Sequence, residues 1–364
     1  MSTPPGLDLP RLQTYLDEKA PGLVGAPLTA ELVAGGRSNL TYVVNEVFVL
    51  RRPPLGHVLA TAHDMGREFR VISALGPTAV PVPEALLLCE DDSVLGAPFY
   101  LMARVPGVVL RHREQTDPLG DAGRRRVADA MMDTLAELHL VDPAEVGLAQ
   151  FGRPEGFLER QVRRWAGQLE KSRSRELPAA DELRDRLAAS VPASPRTGIV
   201  HGDYRLDNLI VDPGTLSVAA VLDWEMATLG DPLTDLGLLL AYWNVLDRIK
   251  TGKNPIADGL GAAAGFPSGD ELLERYARTA PLSDDLHWYV GLACYKLAVV
   301  LEGIHYRYTH GQTVGAGFDE IGDLVSPLLR AGVAALRGEP TNSGEPMNSG
   351  EPTNSGEPMN SGEG

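Results

Sequence analysis

His201-Gly202-Asp203-Tyr204-Arg205-Leu206-Asp207-Asn208, followed by Val221-Leu222-Asp223-Trp224-Glu225, is the stretch whose reading decides the fold of this chain. Moving a phosphoryl group requires an aspartate beside the attacking hydroxyl and oxygen ligands for the metal ions that neutralise the phosphates. Asp203, Asn208 and Asp223 supply both at the required offsets. Taken singly, a surface aspartate is a solvated charge, an asparagine a turn amide and a strand-end aspartate a cap. The spacing of the three carries the chemistry.

The surrounding segment, TGIVHGDYRLDNLIVDPGTLSVAAVLDWE (197–225), reads as a loop, a short strand, a turn at Pro213-Gly214 and a second short strand. Pairing NLIV with VAAV brings Asn208, just before one strand, beside Asp223, just after the other. Both offer oxygen donors, which suit Mg²⁺ as a hard cation.

Toward the N-terminus, LTAELVAGG (28–36), NLTYVVNE (39–46) and VFVLRRPP (47–54) alternate strand and turn signals, with breaks at Gly35-Gly36 and Asn45-Glu46. A helix is predicted at about Asp64 to Leu75, and residues 86–105 give two further strands. The expectation is a five-stranded antiparallel sheet carrying one helix. From about Gly107 the pattern turns helical, with apolar residues at helical spacing in 124–141 and 156–170 and again from Leu233, Leu272, Leu286 and Ile321. The fold class is therefore α+β, with a small sheet lobe over residues 1–104 and a mainly helical lobe over 105–337. Residues 338–364 repeat Gly-Glu-Pro-Thr/Met-Asn-Ser with almost no hydrophobes, so a disordered tail is expected there.

At 364 residues and 43% hydrophobic content the chain can bury a large core. The longest apolar run, near Tyr289 to Leu301, is interrupted by Lys296 and falls short of the ~18 residues of a membrane span. No basic region followed by an apolar stretch opens the sequence, so a cytoplasmic protein without membrane contact is expected. Cys89 and Cys294 have no metal-type neighbours and read as core residues. The net charge of −16, of which five acids lie in the repeat tail, argues against a nucleic-acid partner. It reads as a solvated acidic surface, although a pocket for a cationic compound is the sharper alternative.

HGDYRLDN together with LDWEMATLGDPLTDL resembles the aminoglycoside phosphotransferase and choline kinase superfamily over about residues 10–335. RQVRRW (160–165), SRSRELP (172–178) and KLAVVLEGIHYRYTHGQ (296–312) are similar to one subgroup, the kinase domain fused to acyl-CoA dehydrogenases. The resemblance implies a two-lobed protein-kinase-like fold, ATP as phosphoryl donor with Mg²⁺, and a hydroxyl of a small molecule as acceptor. That acceptor would be aminoglycoside-like or a metabolic hydroxyacyl compound.

Carried over residue by residue, the likeness makes Asp203 the catalytic-loop aspartate and Asn208 and Asp223 the metal ligands. Arg205 stands where protein kinases often place a lysine on the transferred phosphate; a surface salt bridge is the equal rival. His201 would buttress the loop through hydrogen bonds. Asp235 would accept backbone N–H groups of that loop, while Asp231 reads as a helix cap before Pro232. Gly35-Gly36-Arg37-Ser38-Asn39 alone is an ordinary hairpin turn; the likeness turns it into a phosphate-binding loop using Ser38 and Asn39. Arg51 departs from the family, which has a lysine on this strand for the α- and β-phosphates, and Glu68 would be its acidic partner. Intrahelical pairing is the plainer reading of Glu68. Adenine would meet the backbone of Ala103 and Val105, with Met102 behind it. A nucleotide-binding pseudokinase acting as a sensor or interaction module is the alternative, and Arg51 is its main support. A protein kinase is less consistent, because no DFG-to-APE activation segment follows Asp223.

Overall fold

In a computed structural model the chain is described over residues 4–25, 27–33, 39–55, 64–193, 196–246, 249, 260–261, 264–312 and 318–339. The expected turn at Gly35 to Ser38 and the repeats beyond Glu339 lie outside the described residues.

Strands β1 (Ala30–Leu32), β2 (Leu40–Val44), β3 (Phe48–Arg52), β4 (Ala85–Cys89) and β5 (Phe99–Ala103) form one antiparallel sheet in the order β1-β2-β3-β5-β4. β2 and β3 are joined through Asn45 and Glu46 at φ 48° and 61°. Two successive left-handed residues match the twist of a hairpin, and asparagine tolerates that region well.

The sheet carries two longer helices where the sequence suggests one. Helix α1 (Leu9–Lys19) is capped by Asp8, whose carboxylate accepts the Arg11 N–H, and carries a proline in its first turn. Its Leu12 and Leu16, four residues apart, share a cluster with Phe99 and Leu101 of β5. The intervening Tyr100 and Met102 point the other way, into the core that also holds Val71, Ile72 and Leu75 of helix α2 (Met65–Leu75). This two-residue alternation buries β5 on both faces. Asp64 caps α2 by accepting the Arg67 N–H at 2.9 Å. The short helix α3 (Asp92–Leu95) links β4 to β5.

The helical lobe comprises α4 (Arg113–Thr116), α5 (Gly120–Leu140), α6 (Phe157–Ser172), α7 (Pro178–Ala189), α8 (Leu233–Leu240), α9 (Gly269–Ala277), α10 (Leu286–Thr309) and α11 (Val325–Leu336). Helix α10 packs against α6, α7, α8 and α11, which is why its apolar residues cover most of its circumference. Two charges inside it have partners: Glu302, fully buried, pairs with Arg175 at 2.9 Å, and Lys296 reaches the Gly202 carbonyl. Cys89 and Cys294 are free and buried, as core residues would be. Among the described residues no helix is long and apolar enough to cross a membrane.

Two small sheets sit on this lobe. β7 (Leu209–Val211) pairs antiparallel with β8 (Val218–Val221), the hairpin anticipated from NLIV and VAAV. β6 (Gly198–Val200) pairs with β9 (Thr228–Gly230), a contact between segments about thirty residues apart that the sequence reading does not include. The lobe connection is tied to this region, since Val108 and Val211 exchange backbone hydrogen bonds of 2.9 and 2.8 Å. Gly107 makes that approach possible: its φ is +144°, and a Cβ there would stand 2.4 Å from the Ile210 side chain.

Candidate active site

The two halves of the motif meet because each is clamped at both ends. β6 and β9 hold the chain before His201 and after Met226, while β7 and β8 hold it after Asn208 and before Leu222. The Leu222 N–H then donates to the Asn208 carbonyl at 2.8 Å, so the two segments stay in register beyond the strands.

Asp203 is half-buried in this loop. The Asn208 amide donates to its backbone carbonyl at 2.8 Å and to its Oδ2 at 3.1 Å. With the Asn208 Nδ2 directed inward, the amide oxygen is the atom left to face a cation. Asp223 sits at φ 65° and ψ 64°, a left-handed conformation that aspartate tolerates better than most residues. Its Oδ1 accepts from Arg51 at 3.0 Å, and its side chain remains 31% exposed. An amide oxygen and a carboxylate oxygen on adjoining turns form a donor set that fits Mg²⁺, which takes one or two protein oxygens and completes its shell with water and phosphate.

Arg51 on β3 lies between two carboxylates, 2.8 Å from Glu68 of α2 and 3.0 Å from Asp223. Burial opposes its charge, but Glu68 and Asp223 outweigh that and hold the guanidinium protonated well above its ordinary value. Glu68 is 1% exposed. Burial pushes its pKa up to about 7 against the pull of Arg51, and Asp223 and Glu225 add to the rise. Pairing within its own helix is not what Glu68 does. Asn39 is also buried, and its amide donates to Glu225 at 3.1 Å, two residues beyond Asp223. Ser38 lies outside the described residues.

The structure pairs Arg205 bidentately with Asp207, with one contact at 2.5 Å. Its guanidinium also lies 4.5 Å from the ring centroid of Tyr242. The salt-bridge rival is therefore the geometry present, and a phosphate contact would have to compete with Asp207. At the lobe connection, Met102 is buried on β5. The Ala103 N–H donates to the Glu84 carbonyl at 2.9 Å. That N–H is used in strand pairing, which leaves the Ala103 carbonyl as the backbone group of this residue that could meet a base. The expectation then rests on the Ala103 carbonyl and on Val105 beyond the strand end.

His201 is fully buried and supports the loop. Its Nε2–H donates to the Leu222 carbonyl at 2.9 Å, and its Nδ1 accepts the Asp203 N–H at 3.2 Å. Asp235, also fully buried, accepts the His201 and Gly202 backbone N–H groups at 2.6 and 2.7 Å, with His139 at 3.4 Å. Burial would raise the Asp235 pKa, but His139, His201 and the Gly202 N–H outweigh it and hold it below its usual range. A depressed carboxyl stabilises the fold above its unfolded pKa near 4, and that contribution is lost as pH falls through the lower folded value. Asp235→Asn places an amide donor against a backbone donor, so a loss of about 3 kcal/mol is expected. Urea denaturation at pH 7 and at pH 3 checks both parts: the deficit should be large at pH 7 and shrink at pH 3. Asp231 caps α8, accepting the Leu233 N–H at 3.0 Å and the Tyr289 hydroxyl at 2.7 Å.

The sequence reading misses two residues of this site. Tyr242 lies in a π-helical turn (241–245) that continues α8, an irregularity often found at functional sites. Burial, and then the charge of Asp203, push its hydroxyl pKa up, so it stays a neutral donor beside that aspartate. Lys296 donates from its Nζ to the Gly202 carbonyl at 2.6 Å. A single lysine inside the apolar run of α10 was the available signal, since a charge there needs a buried partner.

A Phosphotransferase enzyme family model matches residues 29–278. The chain is 35% identical over 331 residues to mouse acyl-CoA dehydrogenase family member 10, covering 87% of this chain and 30% of that protein. It is 33% identical over 343 residues to rat acyl-CoA dehydrogenase family member 11, covering 91% and 43%. The chain thus spans less than half the length of these relatives. A provisionally named aminoglycoside phosphotransferase structure from Ralstonia eutropha superposes with a TM-score of 0.78 at 32% identity, covering 91% of this chain and 98% of that one. The streptomycin–ATP ternary complex of APH(2")-IIa shares the fold, with a TM-score of 0.58 at 17% identity over 92% and 99% of the two chains. With a matched region of this extent folded into a small antiparallel-sheet lobe and a helical lobe, the chain belongs to the phosphotransferase enzyme family.

Proposed function

We propose that this protein is an ATP- and Mg²⁺-dependent phosphotransferase that moves the γ-phosphate of ATP to a hydroxyl of a small molecule. The observation that carries the reading is the convergence of Asp203, Asn208 and Asp223 on one loop and hairpin. The acceptor oxygen attacks the γ-phosphorus, and the bond from that phosphorus to the β–γ bridging oxygen breaks. ADP leaves, and the hydroxyl proton passes to Asp203 and then to solvent. Asn208 and Tyr242 fix the Asp203 carboxylate for this task. Asn208 and Asp223 would hold Mg²⁺, which when bound neutralises charge on the phosphates. Arg51, kept charged between Glu68 and Asp223, is the cation directed at the α- and β-phosphates, with a guanidinium in place of the family's lysine. Met102, the Ala103 carbonyl and Val105 are read as the adenine edge, and Ser38 and Asn39 as the phosphate-binding turn.

The solved relatives include complexes of kanamycin, gentamicin and hygromycin B, while the longer relatives are named for acyl-CoA dehydrogenation. Aminoglycosides and hydroxyacyl compounds are therefore the two acceptor classes to test. Incubation with ATP, Mg²⁺ and each panel, following ADP release and product mass, should give a product heavier by one phosphoryl group. Tight ATP binding with no transfer to any acceptor would instead favour the sensor reading, which the substitution of arginine for lysine at position 51 supports.

A further inference from the structure

A cavity of 340 Å³ opens beside the catalytic loop, walled by Gly202, Glu225, Met226 and Ala227 on one side and by α6 and α10 on the other. Its lining holds Arg67, Arg153, Arg160, Arg164 and Lys296, a concentration of positive charge in a chain whose net charge is −16. Among the described residues no carboxylate lies within ion-pair distance of any of these five. Arg160 donates to the Arg153 and Glu155 carbonyls, and Arg67 donates to the Ala227 carbonyl at 3.0 Å. Lys296 donates to the Gly202 carbonyl. Carbonyls orient these groups without neutralising them.

The two acids in the lining are already engaged. Asp235 accepts the loop N–H groups, and Glu225 accepts from Asn39. Several cations sharing one cavity repel each other, and burial lowers the Lys296 pKa further, with Arg164 adding to the decrease against Asp203 and Asp235. Such an arrangement is relieved by an anion, and planar guanidinium groups match carboxylate and phosphate oxygens. The volume suits a small molecule or one arm of a larger one.

We propose that this cavity is the acceptor's anion-binding subsite: the hydroxyl compound carries a carboxylate or phosphate that Arg160, Arg164 and Lys296 hold, with its hydroxyl directed to Asp203. The proposal rests on the phosphotransferase reading. It selects against polycationic acceptors, since a cluster of amines would meet unpaired like charge on desolvation.

The test uses the full chain saturated with ADP and Mg²⁺, titrated calorimetrically with 3-hydroxybutyrate as the carboxylate probe, glycerol 1-phosphate as the phosphate probe, glycerol as the neutral control and kanamycin as the cationic one. The same four compounds are then assayed for phosphorylation with ATP. Binding of an anionic probe that weakens tenfold or more in both Arg160→Gln and Arg164→Gln, with glycerol and kanamycin unbound, is the expected result. Which of the two anions binds identifies the source of the charge. In turnover the loss should appear in the acceptor KM, with kcat and the KM for ATP unchanged. No binding of either anion, binding that both variants leave unaltered, or kanamycin turned over with the highest kcat/KM overturns the anion subsite. The last outcome would leave phosphoryl transfer itself standing. Absence of ATP binding would remove the parent reading instead, while anion binding lost in the variants would still stand.

Discussion

Asp203→Ala is expected to lower kcat by roughly 10³-fold, the order that a positioned general base contributes. The ATP dissociation constant should stay unchanged. The carboxylate sits at the mouth of a loop held by other atoms: His201 to Leu222, Asp235 to the His201 and Gly202 N–H groups, and Lys296 to Gly202. Removing the side chain therefore deletes the proposed proton acceptor, its contact with Tyr242 and one Asn208 contact at 3.1 Å, while the Asn208 bond to the Asp203 carbonyl remains. Single-turnover product formation and equilibrium ATP binding, measured on the same preparation, check the two halves. Wild-type turnover in the variant would sink the assignment of Asp203.

Asp223→Asn should cost about as much, roughly 10²- to 10³-fold in kcat, the scale seen when a charge-stabilising group is taken from a transition state. The half-saturating Mg²⁺ concentration should rise with it. Asparagine is the informative replacement because residue 223 has a φ of 65°. Alanine would add a left-handed strain of about 1–2 kcal/mol to the loss of charge, and the two effects would be confounded. Arg51 keeps Glu68 at 2.8 Å in the variant, so the clamp should survive. A Mg²⁺ titration of turnover, alongside a thermal melt showing an intact fold, reads the effect. An unchanged Mg²⁺ dependence would remove Asp223 from the metal site. The double variant with Asp203→Ala should lose less than the sum of the two, because the groups act on one transition state.

Much of this site was legible because local rules write it into consecutive residues. The β7–β8 hairpin followed from two short β-branched runs around Pro213-Gly214, and the β2–β3 turn followed from Asn45-Glu46. Helix α2 was read at about Asp64 to Leu75, and the structure adds that Asp64 caps it. Helix α1 was not read, although Asp8 ahead of Leu9-Pro10 is a helix-start signal, and its role appears only once β5 needs cover on a second face. Arg205 shows the limit from the other side. Its spacing allowed both a phosphate contact and a salt bridge, and the pairing with Asp207 beside Tyr242 is a contact that spacing alone does not give.

The sequence by itself marked out the trio Asp203, Asn208 and Asp223 and the alternation of strands and helices that makes two lobes, because both depend on residue type and short-range periodicity. The tertiary structure decided what surrounds the trio. Lys296 reaches Gly202 across 94 residues of chain, β6 meets β9, and arginines from separate elements line one cavity. These contacts arise from packing between distant segments, where hydrogen bonds and charges find partners that no spacing along the chain encodes.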